Sequence, residues 1–523
     1  MTDRTAARRL PPKSKAKLSF GQVHFGAAEL GDARRTQRLV YTADKIMRHP
    51  GGTLPQKLKD WSDLMGLYRL VKSDRVTHAA VIAAHCRRTL ELAAAHDGVV
   101  LLVHDATELN YSHLPSLAEQ LGQVGSGRGG RGYICHNTLA VTAQEGEVLG
   151  LAHQVLHRRR HVPKGESPAA KRDHPQRESR LWLAGCEATA ATTTTAANGA
   201  AAGSPLWVDV ADRGADTFEL LDHCHRHGRH YVIRSARDRR LDNRDWDHAG
   251  AEGERVHQFL HAYTRDLPTL GERTVQVPRR QRQRSGGRKT ARAARTARVR
   301  IAAGPVTLRV PDFARGQCSS PSLDLWVVHV REVVDPSSPV GSGSGDEPLE
   351  WVLLTNVPAA TFEAACQRVD WYARRPMIEE FHKGMKSGCG VELPQFEHAD
   401  RLEPVIGLLS VVTVALLRLR LLTRAKALNG VTTTAASAAR PDNATATPAT
   451  AVGVPPLFVR VLAGWRYQHA RDDLSAEEFA MALGKLGGHL NRKGDGPPGW
   501  LTLWRGWQEL CLMVQGAEAV RCV

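Results

Sequence analysis

The sequence predicts an α/β fold in which a mixed sheet is flanked by helices, with a β-rich insertion and helical regions at both ends. Three observations carry this. Apolar residues recur at helical spacing from Glu29 to about His96. Short buried-strand runs then alternate with helical stretches. From about residue 250 to 350 the pattern becomes β with basic loops.

In order, "ELGDARRTQRLVYTADKIMRHPGG" opens the helical region and ends in a Gly pair, a natural stop. "LPQKLKDWSDLMGLYRLVKS" and "HAAVIAAHCRRTLELAAAH" repeat the theme. "GVVLLVHDATEL" opens with the apolar run of a buried strand, and that run stops at Asp105. "YICHNTLAVTAQEGEVLGLAHQVLH" reads as two strands about a Glu145–Gly146 turn. "SPLWVDVADRGAD" is a strand ending at Asp212, followed by a helix in "TFELLDHCHRH" and a strand in "HYVIRSARD". "TLRVPDF", "LDLWVVHVREV" and "LEWVLLTNV" are strands around the run Arg279–Arg300, which holds ten Lys or Arg and no acid. The low-complexity pieces "ATAATTTTAANGAAAGS" and "VTTTAASAARPDNATATPAT" are expected to be surface linkers. Trp500, Trp504 and Trp507 recur at helical spacing in a helical tail and suit packing.

A chain of 523 residues is too long for one core. A net charge of +17 points to a polyanion or an acidic membrane surface. No apolar run reaches the roughly 18 residues of a membrane span, and the cationic N-terminus lacks the apolar core of a secretory signal. Nine scattered cysteines fit reduced thiols of a cytosol. Nucleic acid met in the cytoplasm is therefore the expected partner class. "GSGRGGRG" precedes a strand rather than a helix, so it is not a dinucleotide site. "HCHRHGRH" cannot aim its adjacent residues at one tetrahedral zinc.

The candidate chemistry lies in Asp105 and Asp212 at strand ends and in Glu379 of "WYARRPMIEEFHKGMKSG". Three converging carboxylates repel one another unless a divalent cation neutralises them. Oxygen-only ligands fit Mg²⁺ or Mn²⁺, and a pair of such ions drives in-line phosphoryl transfer. Tyr372, Arg375, Glu379, Lys383 and Lys386 are spaced three, four, four and three apart, which on one helix lines them along one side.

"ELGDARRTQRLV", "YRLVKSDRVTHAAVIAAH", "VHDATELNYSH", "VADRGADTFELL", "YVIRSARD", "LEWVLLTNVP", "IEEFHKGMKSGCGVE" and "LGGHLNRKGDGPPGWLTLWRGW" follow one another along nearly the whole chain. In that order they resemble the DDE transposases of bacterial insertion sequences. The likeness is to the cut-and-paste group marked by a Tyr-Arg-Glu-Lys motif (insertion-sequence family four). The resemblance implies a ribonuclease-H-like catalytic fold. By its domain plan, residues 1–20 are a basic arm and 21–96 a DNA-end-binding domain. The catalytic domain would occupy 97–250 and 350–428, interrupted by a β-rich insertion at 251–349. A linker at 429–451 would lead to a dimerisation region at 452–523.

Residue by residue, Asp105, Asp212 and Glu379 match the catalytic triplet, implied to hold two Mg²⁺ or Mn²⁺ ions. Tyr372, Arg375 and Lys386 match the rest of the motif, which grips terminal phosphates, and Lys383 is an extra cation there. Arg234 matches a DNA-contacting arginine, and Trp351 the tryptophan that stacks on a flipped base during hairpin formation. Arg34, Arg35 and Arg38 fall where the first helix meets the DNA end. The implied partners are double-stranded DNA, as transposon-end inverted repeats and target, and a second copy of the chain, with no membrane. The implied place is the bacterial cytoplasm at the nucleoid.

Two residues depart from the pattern: Pro376 follows Arg375 where an aromatic is usual, and Gly214 replaces a common acid. If a helix starts at Pro376, Tyr372 and Arg375 leave the stripe. A decayed copy that binds ends without cutting is the alternative that Pro376 and the low-complexity pieces raise.

Overall fold

The computed structural model describes residues 18–125, 129–197, 204–242, 258–277, 280–283, 289–292, 295–333, 348–422, 448–450, 454–492 and 498–522. The arm up to residue 17, the centre of the glycine-rich loop and most of the second low-complexity piece lie outside them, as does part of the Arg-rich run.

Five helices come first: α1 (Phe20–Phe25), α2 (Ala33–Arg48), α3 (Leu54–Leu58), α4 (Trp61–Val71) and α5 (His78–Ala94). Their starts follow capping chemistry. Ser19 and Gln22 form a reciprocal box, and Asp32 and Thr77 accept the backbone N–H groups of Arg34 and Ala80.

The sheet begins with β1 (Val99–Asn110), β2 (Gly122–Gln123), β3 (Arg131–Thr142) and β4 (Val148–His157). Gly146 turns the β3–β4 hairpin at φ +71°, a conformation glycine adopts without strain. Helices α6 (Pro168–Asp173) and α7 (Leu181–Ala197) lead to β5 (Leu206–Ala211), α8 (Phe218–Arg226) and β6 (His230–Arg234). Next come α9 (Leu260–Asp266), β7 (Thr269–Val277), the small ribbon β8 (Arg280–Gln283) and β9 (Lys289–Arg292), β10 (Arg295–Arg309), β11 (Ser322–Glu332) and β12 (Glu350–Thr355). The main sheet runs β2-β3-β1-β5-β6-β12-β11-β10-β7, with β4 also on β3. Among the described residues only β1–β5 and β5–β6 pair in parallel, so the sheet is mixed, as expected. The strands of residues 269–332 continue this sheet through β12.

Two large cores cover its faces, with a smaller one around Val100, Leu102 and Trp207. The larger buries Leu101, Val103 and Leu109 of β1 under α10 (Phe362–Ala373), α11 (Pro376–Lys383), α12 (Ala399–Leu422) and the N-terminal helices. The second gathers Trp182 and Cys186 of α7 with Leu220 and Leu221 of α8. Helices α13 (Pro456–Tyr467), α14 (Ala476–Leu486) and α15 (Trp500–Cys522) form a further core. Trp500, Trp504 and Trp507 are buried, the packing role expected of them.

Two expectations need correction here. The stretch beginning at Ala188 is helical through Ala197 rather than a linker: alanine favours helix, and Thr189 is fully buried, its hydroxyl bonding back to the carbonyl of Cys186 at 3.0 Å. Residues 399–421 are long and apolar enough to cross a membrane despite Glu403 and Arg418, yet most of them are buried within the fold against α5 and β4.

Candidate active site

The parallel register places two of the carboxylates. Pairing of β1 with β5 ends at His104–Ala211, so Asp105 and Asp212 are the next residues on neighbouring strands. Asp212 does leave its strand there, capping the turn Arg213–Ala215 by accepting the Gly214 N–H at 2.9 Å. A side chain at 214 would strike the Trp182 ring, with a Cβ only 2.6 Å from it, which explains glycine where an acid is common. Asp105 is not at a strand end. Pairing with β3 continues to Asn110–Gly132, because β3 outlasts β5 along this edge. What ends at residue 104 is the buried run; Asp105 is half-buried and open to the front of the sheet.

The motif stretch is not one helix. Proline cannot donate the bond that an uninterrupted helix needs at 376, so the chain tightens to three-residue steps. Arg375 N–H meets the Tyr372 carbonyl at 3.0 Å, and Ile378 N–H that of Arg375 at 3.1 Å. Helix α10 therefore ends at Ala373, and α11 opens with Pro376 at its first position, where proline is preorganised. The single stripe is thereby broken. Tyr372 is 5 % exposed, whereas the Lys383 side chain is 60 % exposed.

Arg375, at the junction, bridges two of the carboxylates. Its Nη1 lies 3.0 Å from Asp105 Oδ2, and its Nη2 donates to Glu379 Oε1 on the first turn of α11. Burial pushes the Asp105 carboxyl up to about 6; Arg375 opposes this, while the nearby Asp212 and Glu379 charges add to it. All three acids thus feel one another around one guanidinium, which in turn is held charged by Asp105 and Glu379 against its burial.

The remaining motif residues border this point. The Trp351 ring on β12 meets the Tyr372 ring edge-on at 5.1 Å. Arg234, at the end of β6, donates to the Glu350 carbonyl at 2.9 Å and lies beside Tyr372. Lys386, in the turn after α11, adds positive charge next to His382 and Cys135. Lys383 pairs with Glu380 at 3.1 Å rather than with Glu379. Far along the chain, α2 carries the N-terminal arginines. Arg34 is mostly exposed beside Asp32, Arg35 donates to the Leu30 carbonyl at 2.9 Å, and Arg38 lies 3.5 Å from Asp63 and over the Tyr41 ring.

Sequence reasoning missed the polar cluster behind the acids. His104 Nε2 lies 2.8 Å from Asp209, whose carboxylate also takes two bonds from Arg229 at 2.8 and 2.9 Å, all buried. Burial works against charge on His104, but Cys186 and Asp209 hold its pKa up at about 9. The signal was a His and an Asp inside the otherwise apolar runs "VVLLVHD" and "LWVDVA", since a polar group within a buried strand needs a partner. Among the described residues, the ligand atoms gathered within 4.8 Å of one another belong to His104, Cys186 and Asp209, not to the acid triplet. Arg229 already occupies that Asp209, so the cluster reads as an ion-paired clamp.

The triplet offers oxygen donors alone, and two of its acids, Asp105 and Glu379, already share one guanidinium. That donor set fits a hard divalent cation. The opening turn of α11 gives Pro376 an unstrained place.

Comparison with known families gives two matches. Residues 19–76 match the family described as transposase DNA-binding, and residues 474–523 that described as the transposase Tn5 dimerisation domain. Both flank the sheet that carries the acids. They support a DNA transposase, a DNA-cleaving class that uses divalent metal, whose partners are DNA and a second copy of the chain.

Proposed function

We propose that the chain cuts and joins transposon ends by DNA phosphoryl transfer, as a DDE enzyme of the hairpin-forming group that resembles insertion-sequence family four, acting at the bacterial nucleoid. One observation carries the reading: Arg375 draws together Asp105 and Glu379, which are more than 270 positions apart in sequence, beside Asp212 at the neighbouring strand end. Asp105, Asp212 and Glu379 would hold the divalent cations, which when bound lower the pKa of the attacking oxygen and stabilise the charge of the transition state.

Around them the chain's own residues position DNA. Arg375, Lys383 and Lys386 offer cations for terminal phosphates, and Arg34, Arg35 and Arg38 sit in the matched DNA-binding region. Arg234 and Tyr372 flank Trp351, whose half-buried ring offers a face for a base taken out of the stack. In the first step a water oxygen bonds to the phosphorus at the element's end. The P–O3′ bond breaks, and a proton goes to the departing 3′ oxygen. The resulting 3′-hydroxyl oxygen bonds to a phosphorus of the opposite strand, whose P–O3′ bond to the flanking DNA breaks with a proton to that oxygen, closing a hairpin. Water attacks the hairpin phosphorus and frees the 3′-hydroxyl again. That hydroxyl then bonds to a target phosphorus and expels the target's 3′ oxygen as a hydroxyl.

The test is Mg²⁺-dependent cleavage of a labelled duplex bearing the element's own end. Nicked and hairpin products from the native chain, none from Glu379→Gln, and unchanged end binding are expected. Equal cleavage by both proteins would remove Glu379 from the chemistry. End binding without cleavage by either, in Mg²⁺ or Mn²⁺, would overturn the enzyme reading.

A further inference from the structure

The residue across the sheet from Asp105 is Asn137 on β3. Its neighbours form an unbroken chain of uncharged hydrogen bonds whose direction can be deduced atom by atom. The Cys135 carbonyl can only accept, so the Asn137 group 3.1 Å from it is the amide nitrogen. That nitrogen's second contact, at 3.0 Å, is His382 Nε2, which therefore accepts. The Asn137 oxygen in turn accepts from Gln154 Nε2 at 2.6 Å. Gln154 donates its other amide hydrogen to the Ser410 hydroxyl at 3.0 Å, and Ser410 donates to the Ile406 carbonyl at 2.7 Å. The Gln154 oxygen is left to accept from His78 Nε2 at 2.9 Å. Asn137, Gln154, Ser410 and His382 are all buried.

His382 lies on α11 one turn after Glu379, and Ile378 and Phe381 bury the rest of that face in the core. The apolar contacts of Ile378 and Phe381 hold α11 down without fixing its position along the sheet, because they are not directional. The bond from Asn137 is directional, and it starts from the residue opposite Asp105.

We infer that His382 and Asn137 are positioning residues: their hydrogen bond sets where Glu379 stands relative to Asp105, and so sets the cation-holding geometry of the triplet. The inference rests on the proposal that the triplet holds divalent cations. Neither residue touches DNA or the reacting atoms in this role.

The test uses the full-length chain on its DNA end and follows bound Mn²⁺ by electron paramagnetic resonance, with Glu379→Gln as the background. His382→Leu should weaken specific Mn²⁺ binding by roughly 10–100-fold, the usual cost of losing an outer partner of a metal ligand, and His382→Gln, which can still accept, should recover most of it. End binding in gel shift should be unchanged in both. If His382→Leu does not fold, His382→Asn keeps a polar group too short to reach Asn137 and should show the same loss. Native Mn²⁺ affinity in a folded Leu or Asn variant that merely unfolds earlier would overturn the inference and leave the cation reading intact. Specific Mn²⁺ absent from the native chain as well would overturn both.

Discussion

Two successive residues of one strand solve the problem of buried polarity in opposite ways. His104 points to the back of the sheet and joins Asp209 and Arg229, an arrangement of full charges. Asp105 points to the front, where its cross-strand neighbour Asn137 belongs to the uncharged chain from His78 to His382. Behind the sheet, α7 packs closely on the His104 ring through Gly185, and one carboxylate, Asp209, takes both His104 and Arg229. In front, a fixed extra charge would shift every acid that has to take up cations. Neutral amides give orientation there without altering the field. The two clamps therefore do separate tasks, one holding β1 to β5 and the other holding α11 to the sheet.

The largest effect should come from breaking the charged side. Arg229→Met leaves the Asp209 carboxylate buried without its guanidinium and should cost about 3–5 kcal/mol in denaturant unfolding. Replacing His104, Asp209 and Arg229 together by apolar residues of similar volume should return most of it. No recovery in the triple variant would mean that the clamp is more than compensated charge.

On the uncharged side, Gln154→Leu strands the His78 N–H and leaves the Asn137 oxygen only the weak Cys135 thiol donor, and should cost about 1–3 kcal/mol. That loss should be insensitive to salt. A salt-dependent loss would contradict the neutral assignment.

A smaller effect, visible only in acid, should separate the two sides further. Burial, then Lys386 and Arg375, lower the His382 pKa to about 3, and burial with Arg418 and Arg88 lowers that of His24 to about 4. Unfolded histidines take up protons near pH 6.5, which the folded ones refuse until far lower pH. Stability should therefore fall as pH drops from about 6.5 toward 4. His382→Gln should flatten part of that slope in denaturation midpoints measured at successive pH values. An unchanged slope would show that His382 is protonated in the fold.

Much of this fold was legible because periodicity reports burial. The helices of 29–96, the β3–β4 hairpin and the strand before Asp212 all follow from apolar spacing and turn residues. The break at Pro376 was visible as an option, since proline's missing N–H is local chemistry. Helix α7 was not legible, because an Ala/Thr tract has no amphipathic pattern and only packing, as at Thr189, decides it. In the candidate site, the residue types of the acids and Arg375 could be read. That Arg375 turns to Asp105 and Glu379 depends on how α10 and α11 meet, which no spacing encodes. The two clamps join residues up to about 300 positions apart, and single polar residues in apolar runs hint at a partner without naming it.

Helix α12 has a consequence for biogenesis. A stretch apolar enough to insert into lipid is a hazard while it emerges from the ribosome. Its partners α5 and β4 precede it by more than 200 residues, so they have been made long before it appears. Synthesis order thus offers residues 399–422 a protein docking face at the moment of their exposure. A rearranged chain that began with this segment would deliver it to the cell with nothing yet to cover it.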